Sequence, residues 1–110
     1  MRLITASELR HGDCRSVGRE VALSHPGLGI HISFDLDAID PAHVPGTEVP
    51  SAGGMTVGDA LDLLDGLAEA RLAGLDVVEL CPPADISDIS TLAALKLCFE
   101  FMSHLNRQRR

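Results

Sequence analysis

Residues 28–37 alternate between apolar and polar side chains, and this pattern constrains the fold more than any other feature of the chain. The apolar set comprises Leu28, Ile30, Ile32, Phe34 and Leu36. The polar set comprises His31, Ser33, Asp35 and Asp37. A period of two is typical of a β-strand, so residues 28–37 are predicted to form a strand with one apolar face.

Helical patterns surround this strand. Thr5 followed by Glu8 matches a capping box and predicts a helix that runs to about residue 23, with a break near Gly12. Thr56 and Asp59 have the same relationship and predict a second helix that ends at about residue 71. A third helix is predicted over residues 91–105, where apolar side chains lie nearly all round the helix axis.

The predicted elements alternate as helix, strand, helix, strand, helix. The second strand is expected at residues 74–80, and its largely apolar sequence predicts that it is buried. Such an order is typical of an α/β layered fold with parallel strands. The 110 residues are enough for one small domain. The last helix would pack on several sides, which indicates a parent structure larger than this chain.

Composition excludes several classes of function. A net charge of -7 argues against nucleic-acid binding, because an acidic surface repels phosphates. No apolar run reaches the length of a signal peptide or a membrane span, so no membrane partner is expected. Three widely spaced cysteines predict reduced thiols in a cytoplasmic protein, rather than a disulfide framework or a cysteine-based zinc site.

Acidic residues at the ends of the two predicted strands are the candidates for chemistry. Asp35 and Asp37 share one strand face at its C-terminal end, where parallel sheets bind ligands. Two such carboxylates favour a divalent metal such as magnesium, calcium or manganese, although Asp-x-Asp pairs also cap turns, as is expected of Asp40 before Pro41. Glu79 would bind a cationic group, pair with a Lys or Arg of the protein, or reach solvent.

The order and spacing of six stretches resemble the arginase/agmatinase/formimidoylglutamase family of ureohydrolases. These stretches cover residues 33–42, 44–47, 53–56, 75–79, 82–85 and 91–94. The resemblance implies a three-layer α/β/α fold with a mainly parallel sheet, of which residues 1–110 would be only the C-terminal part. It also implies a small cationic guanidino substrate, two Mn²⁺ ions in a complete active site, and a homo-oligomer in the complete form.

By this resemblance, Asp35 would bridge the two metals and Asp37 would bind one of them. Glu79 would hold the guanidinium of the substrate, and His43 in the long loop would contact substrate or remain exposed to solvent. Agmatine hydrolysis with release of urea is the expected reaction, and formimidoylglutamate hydrolysis is the alternative within the family. Val49 stands where many family members have a hydroxyl, so the substrate stays open.

The family motifs Gly-Gly-x-His and Asp-Ala-His-x-Asp, which supply the other metal ligands, do not occur in the sequence. The chain by itself is therefore expected to be inactive, as a fragment, a partner-dependent subunit or a degenerate remnant. Among the other histidines, His31 is expected to be packed, and His11, His25 and His104 to lie on the surface. Positive φ angles are expected at Gly46, Gly53 and Gly54.

Overall fold

A computed structural model describes residues 1–110 and contains four helices and two strands. Their bounds are α1 Ala6–His11, α2 Cys14–Leu23, β1 Gly29–Asp35, α3 Val57–Leu67, β2 Arg71–Val78 and α4 Ile89–Gln108. Two short 3-10 turns, Leu36–Ala38 and Pro82–Ala84, follow the strands. The predicted order of elements and the predicted break between the first two helices are confirmed.

Both predicted capping boxes are present. The Thr5 hydroxyl accepts a hydrogen bond from the Glu8 amide, and the Glu8 carboxylate accepts one from the Thr5 amide. Thr56 and Asp59 form the same reciprocal pair at the start of α3. These local bonds satisfy amides that have no partner inside the helix, which explains why both helices begin where the sequence predicts.

The two strands pair in parallel, as predicted, and their C-terminal ends lie at one edge of the sheet. Asp35 at the end of β1 is opposite Val78 at the end of β2. Exposure alternates along β1, which confirms its one apolar face. The prediction that β2 is buried is wrong, because side chains of α3 and α4 pack on only one face of the sheet. Side chains on the other face, such as Asp76, are exposed.

Several predicted boundaries are also wrong. β1 spans Gly29–Asp35 instead of residues 28–37, and β2 begins at Arg71 instead of residue 74. The helix predicted to reach residue 71 ends at Leu67. Leu72 is buried in the core as part of β2, and its amide donates to the Gln108 side chain at 3.0 Å, so the chain is already extended there. The last helix is longer than residues 91–105 and spans Ile89–Gln108.

The core is aliphatic and lies between the sheet and helices α3 and α4. Its larger cluster comprises Leu36, Ile39, Val44, Ala60, Ala93, Ala94 and Leu97. A smaller cluster comprises Leu64, Leu72 and Phe101. Burial of these side chains holds the sheet against the two helices.

Helix α2 crosses α3 with the two backbones in contact. A methyl group on Gly66 would overlap the carbonyl oxygen of Arg15 and lie 2.7 Å from the amide nitrogen of Arg19. Arg15 and Arg19 then form ion pairs with Asp65 and Glu69 of the α3 region. Glycine is therefore required at this crossing because any side chain would force the helices apart.

Helix α4 has two apolar faces on opposite sides. One packs into the core, and the other is exposed and comprises Leu92, Leu95, Phe99 and Met102. The sequence predicts that this helix packs on several sides, and within the chain it packs on one side only. None of the helices combines the length and the hydrophobicity that a membrane crossing requires.

Candidate functional site

Asp35 and Glu79 lie at the same edge of the sheet. Asp35 ends β1, and Glu79 follows Val78, which is the residue opposite Asp35. Adjacent strands are separated by roughly 4.8 Å, so the backbones of Asp35 and Glu79 lie next to each other where the two strands end. The parallel arrangement thus brings together two acidic residues that are 44 positions apart in the sequence.

Asp37 does not share a strand face with Asp35, so this part of the prediction is wrong. The chain leaves β1 after Asp35 and enters the 3-10 turn Leu36–Ala38. Leu36 is completely buried, and its packing into the core turns the backbone away from the strand. The Asp35 carboxylate accepts a hydrogen bond from the Asp37 amide at 2.9 Å and fixes this turn.

The carboxylate of Asp37 has a property that is typical of a binding site. Its Oδ1 atom is buried and has no hydrogen-bond partner within the chain. Leaving a buried carboxylate oxygen without a partner costs about 1–3 kcal/mol or more. A cation bound at Oδ1 would remove this cost, and carboxylate oxygens are ligands that hard divalent ions prefer.

The side chain of Asp40 anchors the loop that follows the turn. Its two carboxylate oxygens accept hydrogen bonds from the amides of Ala42 at 2.9 Å and Gly53 at 2.7 Å. These bonds lower the pKa of the Asp40 carboxyl below its ordinary value. The predicted structural role of Asp40 is confirmed, and the two ends of the loop are held together.

Gly46 fixes the middle of the loop against the segment that follows β2. Its carbonyl accepts from the Cys81 amide at 2.8 Å, and its amide donates to the Ser90 hydroxyl at 2.7 Å. A methyl group on Gly46 would lie 2.8 Å from the Asp85 Cβ. Glycine is thus required here for close approach, and the loop is attached two residues after Glu79.

The expected positive φ angles are found at only one of the three loop glycines. Gly53 has a φ of 85°, whereas Gly46 and Gly54 have none, so the prediction is wrong for those two. At Gly54, a methyl group would lie 2.6 Å from the Asp40 amide nitrogen. Steric crowding, rather than a left-handed backbone, therefore requires glycine at Gly46 and Gly54.

Three loop side chains near this segment differ in their environment. Thr47 is buried, and its hydroxyl oxygen has no hydrogen-bond partner within the chain. Val49 is 68% exposed, and His43 is exposed, with its backbone amide bonded to the Asp40 carbonyl at 2.8 Å. His43 thus lies at the surface of the loop that the Asp40 carboxylate anchors.

Glu79 has an uncommon backbone conformation. Its φ of 66° lies in the left-handed region, which costs a non-glycine residue of order 1–3 kcal/mol. Its side chain is exposed and forms no ion pair within the chain. Of the three alternatives raised by the sequence, pairing with a Lys or Arg of this chain is excluded.

A second group of metal-ligating side chains, which the sequence did not predict, lies between α3 and α4. The ligand atoms of Asp65, Glu100 and His104 all lie within 4.8 Å of one another. Asp35 and Asp37 belong to no such group of three ligating side chains. His104 is 7% exposed, so the prediction that it lies on the surface is wrong. The spacing of four residues between Glu100 and His104, typical of one helix face, is the signal that could have revealed the group.

The remaining histidines are surface residues. His11 and His25 are exposed, as predicted. His31 was expected to be packed, but this is wrong, because its polar position on β1 faces the uncovered side of the sheet. There its Nε2 atom lies 2.9 Å from the Asp76 carboxylate.

The sequence and fold of this chain match known proteins closely. The arginase family profile matches residues 1–104. An agmatinase of Edwardsiella ictaluri is 38% identical over 100 residues, which are 91% of this chain and 33% of that protein. A human mitochondrial guanidino acid hydrolase is 42% identical over 86 residues, or 78% of this chain and 24% of the relative. The chain spans a third or less of the length of these curated relatives.

Solved structures show the same relationship. A hypothetical agmatinase from Burkholderia thailandensis superposes with a TM-score of 0.93 at 29% identity, covering 99% of this chain and 35% of that structure. Proclavaminate amidino hydrolase from Streptomyces clavuligerus gives a TM-score of 0.91 at 27% identity, with coverages of 97% and 36%. The predicted fold class is confirmed by these superpositions.

Proposed function

Because the chain belongs to the arginase family, we propose that it contributes to the active site of a manganese-dependent hydrolase that cleaves guanidino C–N bonds and releases urea. The observation that carries the proposal is the buried, unpaired Oδ1 of Asp37 beside Asp35, with Glu79 at the end of the adjacent strand. A metal site and a site for a cationic substrate would then share one sheet edge.

The donor atoms at this edge fit the proposed metal. Asp35 and Asp37 present carboxylate oxygens, which suit Mn²⁺. When bound, two manganese ions would lower the pKa of a water molecule and stabilise negative charge in the transition state. Two carboxylates fill only part of two coordination shells, so we place the remaining ligands outside these 110 residues.

Glu79 is proposed to bind the guanidinium of the substrate through charge-assisted hydrogen bonds. Its side chain is exposed and has no ion-pair partner in the chain, so it is available for a cation. The left-handed backbone at this residue is the kind of strain that persists at binding sites. His43, exposed in the anchored loop, is proposed as a second substrate contact.

Agmatine is the substrate we favour. The net charge of -7 attracts a cation that carries both a guanidinium and an amine. Agmatinase is the most frequent name among the curated relatives, and the human relative is named for guanidino acids. A formimidoylglutamate substrate would release formamide instead of urea, so the product distinguishes the two reactions.

A chimera tests the proposal. In it, this chain replaces the matching third of the Edwardsiella ictaluri agmatinase, and urea release from agmatine is measured with Mn²⁺ present. The chimera should turn over, and Asp35→Ala or Glu79→Ala should nearly abolish turnover. Wild-type rates in either variant would contradict the assigned roles. Size-exclusion chromatography of the active chimera would test the proposed homo-oligomer.

A second candidate function is a non-catalytic chain that packs against a longer family member. The exposed apolar face of α4, formed by Leu92, Leu95, Phe99 and Met102, favours it because monomers rarely leave such surfaces uncovered. Co-purification with a full-length family member would support this role. All three cysteines are free, which supports the proposed cytoplasmic location for either function.

A further inference from the structure

Three side chains with metal-ligating atoms meet between α3 and α4, toward the C-terminal ends of both helices. Asp65 comes from α3, and Glu100 and His104 lie one turn apart on α4. The sheet-edge carboxylates are instead near the other ends of these helices, where each helix begins after its strand and loop. We propose that Asp65, Glu100 and His104 bind a first-row divalent metal ion, with Zn²⁺ as the best-fitting ion.

His104 provides the observation that points to a ligand. Its side chain is more than nine-tenths buried, and its Nε2 atom makes no hydrogen bond of acceptable direction within the chain. Nε2 nevertheless lies 2.7 Å from Asp65 Oδ1 and 3.8 Å from Glu100 Oε1. The close approach to Asp65 is therefore a contact between two ligand atoms and not a directed N–H···O bond.

The distances suit a small ion. Two ligands bound at 2.0–2.2 Å in a tetrahedral zinc site are roughly 3.3–3.6 Å apart. The observed separations of 2.7 and 3.8 Å fall on either side of this range. The side chains of Asp65 and Glu100 are about one-quarter exposed, and rotation of their carboxylates would bring both separations into this range. Three protein ligands leave the fourth position for water.

Neighbouring cations hold the outer oxygens of both carboxylates. Arg15 pairs with Asp65 Oδ2, and Lys96 lies 2.8 Å from Glu100 Oε2. The hydrogen bond from Lys96 lowers the pKa of the Glu100 carboxyl and favours its ionised form. The inner oxygens, Oδ1 of Asp65 and Oε1 of Glu100, remain directed at His104.

Arg107 is the group that competes with the metal. Its guanidinium lies 2.6 Å from His104 Nδ1, and it can donate to this atom only in the ring tautomer that carries its proton on Nε2. Metal binding at Nε2 requires this proton to move to Nδ1, where it repels the guanidinium. Arg107 is exposed, and on metal binding its side chain turns into solvent.

The test is a calorimetric titration of Zn²⁺ alone into the 110-residue chain that carries Asp35→Asn and Asp37→Asn. These two changes remove the sheet-edge carboxylates, so success or failure here is independent of the proposed catalytic function. One ion should bind per chain, and Glu100→Gln should weaken binding at least about tenfold. Asp62→Asn, a neighbouring exposed acid on α3, should leave the affinity unchanged, and Arg107→Gln should increase it several-fold.

Because His104 is buried, a second measurement leaves it in place. In ¹⁵N NMR spectra of the imidazole rings, Zn²⁺ should shift the Nε2 resonance of His104 and convert Nδ1 to a protonated nitrogen. Absence of saturable binding would overturn the proposal. Equal affinity in Glu100→Gln and Asp62→Asn, or an unchanged His104 ring, would show that the cluster is only an ion-pair network.

Discussion

Asp35 ends β1, and Glu79 directly follows the end of the neighbouring parallel strand β2, because Asp35 is opposite Val78, the residue before Glu79. The separation of these two acidic residues therefore depends on the pairing of β1 with β2 and not on the long loop between them. A shift of one residue would turn each side chain of a strand to the other face of the sheet. Both acidic residues can consequently be tested without altering the loop.

Replacing Glu79 by glycine should separate stability from binding. Glu79→Gly relieves the left-handed strain at φ 66° and should raise the free energy of unfolding by about 1 kcal/mol. The same change removes the carboxylate and should nearly abolish agmatine hydrolysis in the chimera. Urea denaturation of the chain and urea release by the chimera measure the two effects.

The matched control for this experiment is Glu79→Gln. Glutamine keeps the side-chain length and the backbone strain but removes the charge, so turnover should fall while the unfolding free energy stays unchanged. Gain of stability in Glu79→Gln, or none in Glu79→Gly, would contradict the strain assigned to this residue.

Asp37→Asn should have opposite effects on metal binding and on stability without metal. Loss of the charge should leave the chimera with at most one of its two Mn²⁺ ions, measured by metal analysis after gel filtration. In chelator, the chain should be as stable or up to about 1 kcal/mol more stable, because the buried unpaired group then carries no charge. Asp76→Asn, which alters an exposed acid on β2, should leave the metal content unchanged.

The sequence predicts features that local chemistry decides. The capping pairs of Thr5 and Thr56 and the alternating face of β1 depend on residues within a few positions of each other, and all three are confirmed. Asp37 was misplaced because its turn depends on burial of Leu36 against helices that lie far along the chain. The period of two predicts the faces of the residues up to Asp35, where β1 ends, but it does not apply to Asp37 in the turn that follows.

Tertiary packing also explains the other errors. Residues 68–70 favour helix, but burial of Leu72 and its bond to Gln108 begin β2 at Arg71. His104 was assigned to the surface, but it faces Asp65 of α3 and is buried there, a contact between residues 39 positions apart that the local sequence does not reveal. The resemblance to a family supplied the roles of the sheet-edge acids, which spacing alone left open.

Gly66→Ala should destabilise the chain by about 1–3 kcal/mol, because the added methyl group overlaps the Arg15 carbonyl at the crossing of α2 and α3. Gly58→Ala lies in the same helix, where the nearest atom is the Thr56 hydroxyl at 3.5 Å. It should stabilise the chain by up to about 1 kcal/mol through helix propensity. Chemical denaturation followed by circular dichroism compares them, and effects of the same sign would contradict the crossing geometry.

Leu97→Ala and Leu95→Ala compare the two apolar faces of α4. Leu97 is 1% exposed in the larger core cluster, and its truncation should cost about 2–5 kcal/mol. Leu95 is 46% exposed, and its truncation should change the unfolding free energy of the chain by less than about 0.5 kcal/mol. If Leu95→Ala instead weakens association with a longer family member, the partner-dependent function is supported.

The carboxyl of Asp85 should make stability depend on acid pH. Burial opposes its ionisation, but hydrogen bonds from Ser90 and Thr91 at the start of α4 outweigh burial and lower its pKa well below the ordinary 3.8. A lowered folded-state pKa gives stability that is fully present above the unfolded pKa and is lost as pH falls below about 4. The urea midpoint of the wild-type chain should therefore fall between pH 5 and pH 2.

Asp85→Asn should make this fall shallower and lower the midpoint at pH 7, because the neutral amide accepts these bonds less strongly. Asp88→Asn is the control, since Asp88 precedes the same helix without a side-chain capping bond and should follow the wild-type curve. The anchored loop also depends on this region, because Gly46 donates to the Ser90 hydroxyl. Acid should therefore release the loop together with the start of α4, and exchange of the Gly46 amide with deuterium should accelerate over the same pH range. Equal pH curves for the two variants would show that Asp85 does not carry this dependence.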